Sequence, residues 1–177
     1  LDDFYKRVFL FYRETGMRLR EPFIANLNGT WIDIPPENKT KVERSIEVSE
    51  LIKAIFLELK DWQINGYGST IKDPGEHLSK VFKQYFNQVS VNTNIHFHSL
   101  RHTFAVRQIL MGVSIYDVKL LLGHASVTTT EQYSNMNLKR VAQDFPDLKR
   151  PSTLMPKMAM EDTVLEGIKG SVSNYLT

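Results

Sequence analysis

The 177 residues are 42% hydrophobic and 11% aromatic, enough to bury a core in one domain, with or without a tail, so disorder is not the default. Cysteine is absent, so disulfides, thiolate zinc sites and a Cys nucleophile are excluded, and a reducing compartment fits. With 22 Lys and Arg against 20 Asp and Glu, the net charge of +2 is too mild to announce nucleic acid; no apolar run reaches the ~20 residues of a membrane span, and no membrane partner is expected.

Phe4, Val8, Phe11 and Tyr12 recur at helical spacing over residues 3–14, and Thr15-Gly16 ends the run as a C-cap does. The chain opens almost inside this helix, so it reads as a fragment whose first helix is truncated. Pro22 predicts a second short helix through Leu27, closed by Asn28-Gly29. "TWIDI" at 30–34 alternates as a strand, Pro35-Pro36-Glu37-Asn38 turns the chain, and "VERSIEV" at 42–48 returns as a second strand. Ser49 caps a helix over 50–62. After a polar loop, Asp73-Pro74 opens another, with Leu78, Val81, Phe82, Tyr85 and Phe86 on one stripe. A further helix includes "HFHSLRH" at 96–102 and runs to Met111-Gly112. "SIYD" at 114–117 reads as a capping box opening a helix that Gly123 closes, and Ser126 caps one more, carrying "VTTTEQYS". From Pro151 onward only Val164, Leu165 and Ile168 form a weak amphipathic patch. The expected fold is mainly α with a small antiparallel β-sheet (α+β).

The chemistry concentrates in four places. His98, Arg101 and His102 share a helix face at i, i+3 and i+4, a crowding of cationic groups that costs energy unless an anion or a metal sits among them. Arg18 follows a helix-ending Gly, Lys39 lies in the turn between the two strands, and His124 follows Gly123, with Tyr133 nine residues on. Arginines grip phosphate by a rigid bidentate fork, and tyrosine is a competent covalent nucleophile. A zinc site of His96, His98 and His102 is disfavoured, because no carboxylate in the stretch completes it and Arg101 would sit beside the metal. His77 and His96 read as ordinary polar residues. Arg20, Lys41 and Arg44 read either as solvated surface charges or as phosphate contacts.

These residues resemble the tyrosine recombinases, or phage-type integrases. "TGMRLRE" resembles the family's first arginine box, "HSLRH" its His-x-x-Arg box, and "LLGHASVTTTEQY" its closing Leu-Gly-His…Tyr segment. "NKTKVERSIEV" is similar to the hairpin bearing the family's catalytic lysine. The four stand in the family's order between about residues 9 and 140. The resemblance implies a DNA breaking-rejoining catalytic-domain fold over residues 1–150, without the family's N-terminal DNA-binding domain, and a tail over 151–177. It also implies roles. Tyr133 attacks a DNA phosphodiester; Arg18 and Arg101 hold its non-bridging oxygens; Lys39, with Lys41 as its rival, protonates the leaving 5′-oxygen. His98 assists proton transfer, His124 hydrogen-bonds the phosphate, Glu21 orients Arg18, and His102 supplies a supporting hydrogen bond. No cofactor and no metal is implied. The implied partners are double-stranded DNA with specific recombination sites, three further copies in a homo-tetramer docked through "DTVLEGIKG", and accessory DNA-bending proteins. The implied setting is the bacterial cytoplasm, at the nucleoid. Type IB topoisomerases share this catalytic architecture and are the rival enzyme reading; a non-catalytic DNA-binding module is the other. Pro22 and the double proline at 35–36 depart from the family pattern.

Overall fold

A computed structural model describes residues 2–39, 41–89 and 95–124, together with Val141 and Gln143. Ser126, Tyr133 and the tail segment "DTVLEGIKG" lie outside the described residues. Helix α1 (Asp3–Thr15) begins where the Asp2 carboxylate accepts the Phe4 N–H at 2.7 Å, and ends where Gly16 turns left-handed at φ 62°. A short helix α2 (Glu21–Ile24) follows.

The expected helix through Leu27 is wrong. Ala25 is already extended, at ψ 154°, and Asn26–Asn28 form strand β1. β1 pairs antiparallel with β2 (Trp31–Ile34), Asn28 opposite Trp31, so Gly29 and Thr30 make a two-residue hairpin loop. Gly29 in the first loop position is thus a hairpin signal and not a helix stop. β2 pairs in turn with β3 (Arg44–Glu47), giving a three-stranded sheet ordered β1-β2-β3 instead of a single pair of strands. Ile32, Ile34, Arg44 and Ile46 point inward and Trp31, Ser45 and Glu47 outward, the alternation a one-sided sheet requires.

Ser49 caps α3 (Glu50–Ile64) by accepting the Ile52 N–H, and a 3₁₀ turn at Tyr67–Thr70 leads to α4 (Pro74–Val89). α5 is Ser99–Leu110 and α6 is Ile115–Leu122. At the head of α6, Ser114 Oγ accepts the Asp117 N–H at 3.1 Å, the first half of the expected capping box, while the Asp117 carboxylate accepts the Ser114 hydroxyl at 2.7 Å in place of its backbone N–H.

Two apolar clusters result. The larger joins α1, the sheet, α3 and α4 through residues such as Val8, Phe11, Tyr12, Ile32, Phe56 and Leu78. The smaller packs Phe104, Ala105 and Val106 of α5 on Val118 and Leu122 of α6. Phe97, between two of the histidines of "HFHSLRH", is only 7% exposed. Its ring meets Tyr12 edge-on at 4.7 Å and Phe82 at 5.5 Å. Burying such a ring stabilises by about 1.5–3 kcal/mol, which roots the start of α5 in the larger cluster. Among the described residues no helix is long and apolar enough to cross a membrane.

Candidate active site

Gly16 reverses the chain after α1, burying Met17 and bringing Arg18 back over the helix end. Left-handed φ and a crowded neighbour both demand glycine there: a Cβ would lie 2.5 Å from the Phe104 ring. Arg18 is fixed from three sides. Its backbone N–H donates to Glu21 Oε2 at 2.6 Å, Nη1 donates to Glu21 Oε1 at 2.8 Å, and Nη2 donates to the Gly123 carbonyl at 3.0 Å. Glu21 thus orients Arg18 in the structure.

Arg101, in the first turn of α5, is 3% exposed. Nη1 donates to the Gly16 carbonyl at 2.6 Å and Nη2 to the Leu122 carbonyl. These carbonyl dipoles orient the guanidinium and leave its formal charge in place. Gly16, Leu122 and Gly123 therefore bind the two arginines to the ends of α1 and α6, elements more than a hundred residues apart.

His98 sits at the N-cap of α5, where its carbonyl accepts the N–H groups of Arg101 and His102. Its ring stands edge-to-face on that of His102, with centroids 4.8 Å apart. Burial, reinforced by His102, Arg101, His96 and Arg18, lowers the His98 pKa to about 4. His124 follows the left-handed Gly123, and its N–H donates to the Lys119 carbonyl at 3.1 Å. Burial, with the charges of Arg101, Arg18, His98 and Arg44, lowers its pKa to about 4 as well. His102 is lowered by burial and then by His96 and Arg101. The electrostatic pairings place Arg18, His98, Arg101 and His124 around one locus, two permanent cations beside two neutral imidazoles.

Arg44 is not the solvated surface charge that one reading expected. Its inward register on β3, opposite Ile34, buries it to 9% exposure. Nη1 and Nη2 donate to the two Glu21 oxygens at 3.0 and 2.7 Å, and Nε donates to the Leu121 carbonyl at 3.0 Å. Burial alone would raise the Glu21 pKa, but Arg44 and Arg18 together hold it at about 2. A second ion pair absent from the sequence reading, Glu14 with Arg107 at 2.6 Å, clamps α1 to α5 from within. Its one sequence signal was an acid set directly among the core-facing residues Phe11, Tyr12 and Thr15.

Lys39 and Lys41 stand exposed on the β2–β3 turn, which Asn38 staples by donating to the Pro35 and Val42 carbonyls, each at 2.6 Å. Among the described residues neither lysine hydrogen-bonds to Arg18, His98, Arg101 or His124. His77 accepts or donates at 2.9 Å to the Tyr5 hydroxyl, far in sequence from the cluster. Among the described residues no group of three His, Asp or Glu side chains could hold a metal ion.

Residues 4–140 match the phage integrase family. XerC, a tyrosine recombinase of Lacticaseibacillus casei, is 33% identical over 82 residues, covering 46% of this chain and 27% of that protein. XerD of Staphylococcus epidermidis is 26% identical over 115 residues, covering 63% of this chain and 38% of that protein. The chain thus matches less than two fifths of the length of either relative. Among solved structures, XerA recombinase superposes with a TM-score of 0.59 at 18% identity, over 85% of this chain and 65% of that one. XerH recombinase, in a post-cleavage complex with palindromic difH substrate, does so with a TM-score of 0.58 at 20% identity, over 79% and 44%. Both share the mainly helical fold with its small antiparallel sheet. With 4–140 of its 177 residues matched, the chain belongs to the phage integrase family.

Proposed function

We propose that the chain is the catalytic part of a site-specific DNA recombinase or integrase that cuts and rejoins DNA through Tyr133. The observation that carries this reading is the convergence of Arg18 and Arg101, held by carbonyls at the ends of α1 and α6, with His98 and His124 in electrostatic reach of both. A phosphodiester needs charge cancellation and in-line positioning, and cations fixed in place supply both. The Tyr133 oxygen attacks phosphorus, its proton passing to the neutral His98 imidazole. Arg18 and Arg101 balance the charge building on the non-bridging oxygens, and His124 donates a hydrogen bond to one of them. The 5′-oxygen leaves with a proton from Lys39, and a 3′-phosphotyrosyl bond remains. Attack by the 5′-hydroxyl of a second strand restores tyrosine and a diester, so bond energy is conserved with no metal or ATP.

The relatives are bacterial tyrosine recombinases, and the XerH site-specific recombinase is bound to a palindromic difH substrate, which supports duplex DNA as the partner. Tetramer assembly through residues 151–177, accessory DNA-bending proteins and a place at the bacterial nucleoid belong to the same proposal. A duplex nicked near its cleavage site traps the covalent step. Adduct is expected with the parent chain, with or without EDTA, and none with Tyr133→Phe. Adduct that persists in Tyr133→Phe, or none in the parent, contradicts the reading; relaxation of supercoils without exchange between two sites favours a topoisomerase.

A further inference from the structure

Arg44 is a buried cation at the edge of the site to which the cleavage steps assign no task. It reaches Glu21 with two N–H donors, while Arg18 reaches the same carboxylate with a side-chain and a backbone donor. One carboxylate therefore lies between two guanidiniums. The side chains of Arg44 and Glu21 are 6% and 3% exposed and that of Arg18 is 17%, so water screens this trio weakly. Tyr12 of α1 also faces Glu21, and its hydroxyl is kept neutral by burial and by that carboxylate. With Arg44 in place the three charges sum to one positive; without it, Glu21 is left to cancel Arg18.

We propose that Arg44 is a positioning and charge-balancing residue: by occupying both oxygens of Glu21 it preserves the positive charge that Arg18 offers to the diester, and through Leu121 it ties the base of the hairpin to the end of α6 bearing His124. The inference rests on the strand-cleaving function proposed above. Two features speak for a built arrangement over simple packing. Gly123 yields its side-chain volume to Arg44, since a Cβ there would lie 2.8 Å from Nη1. And the Nε–H, which makes no bond to Glu21, donates to the Leu121 carbonyl in the last turn of α6. Arg44 thus meets the two segments that carry Arg18 and His124 while lying five residues from Lys39 on its own strand's approach.

The test uses the 177-residue chain and three variants: Arg44→Met, Glu21→Gln and the double substitution. The pKa of the His124 ring, read from its proton NMR signal, reports the local charge without requiring activity. Single-turnover trapping on the nicked duplex reports function. Arg44→Met is expected to raise the His124 pKa and to slow trapping by about tenfold or more, less than loss of a direct charge donor costs. The double variant is expected to move both readings back toward the parent, because a neutral Gln cannot cancel Arg18. A double variant that tracks Arg44→Met in both readings, with all chains melting alike, overturns the inference. Should Arg44→Met fail to fold, Arg44→Lys decides: it keeps charge but not the fork, and a His124 pKa well away from the parent's contradicts charge balancing. A parent that forms no adduct contradicts the cleavage reading instead, and the His124 titration still decides the role of Arg44.

Discussion

His98 and His124 are neutral at neutral pH because burial and neighbouring arginines lower both pKa values from 6.5 to about 4. An incoming phosphate supplies an anion that favours the protonated form of His124, the ring assigned to hydrogen-bond it, while His98 stays neutral to accept the Tyr133 proton. DNA binding is therefore expected to take up protons, and affinity to strengthen, as pH falls from about 6.5 toward 4. Calorimetry at pH 6 in buffers of different ionisation enthalpy measures the uptake; none would show that the phosphate sits elsewhere. For the free protein the sign reverses. The unfolded chain binds more protons in this window, so stability present above pH 6.5 is lost as pH falls toward 4. At this scale much was legible from spacing: the His-x-x-Arg and Gly-His motifs named the groups that converge. The burial of Arg44 was not legible, because a charged residue on a short strand reads as solvent-facing until the sheet's inward face is known.

Elements place these residues through their ends more than their middles. α1 stops at Gly16 and α6 at Gly123, both left-handed, and the carbonyls exposed at those ends hold Arg18 and Arg101. Gly123→Ala combines positive φ with a Cβ 2.8 Å from the Arg44 guanidinium. It is expected to destabilise by about 1–3 kcal/mol, and each kcal/mol lowers the melting temperature by roughly 2–4 °C in a chain of this size. Thermal melts check this; an unchanged midpoint would mean that the α6 end is not held as described. Helices α1, α3, α4 and α6 were legible because apolar period and caps agree. β1 was not. Three residues carry too little periodicity to oppose the helix suggested by Pro22, and pairing with β2 decides their conformation.

Across the whole molecule, the locus forms where the two apolar clusters meet, and its groups come from the end of α1, the start of α5 and the end of α6. The near-neutral net charge of +2 fits such a design, since the proposed grip on the diester depends on where a few cations are fixed and not on their number. Residue order could announce this convergence only through a family resemblance; no local pattern states that Arg18 and Gly123 touch. The most direct measurement compares cleavage of two nicked duplexes, one with a normal scissile diester and one with a neutral methylphosphonate there, by the parent and by Arg18→Ala. On the charged diester, loss of Arg18 is expected to slow adduct formation by about 10²–10³-fold, and on the neutral one to cost far less. An equal penalty on both substrates would contradict the claim that fixed positive charge at this locus neutralises the diester.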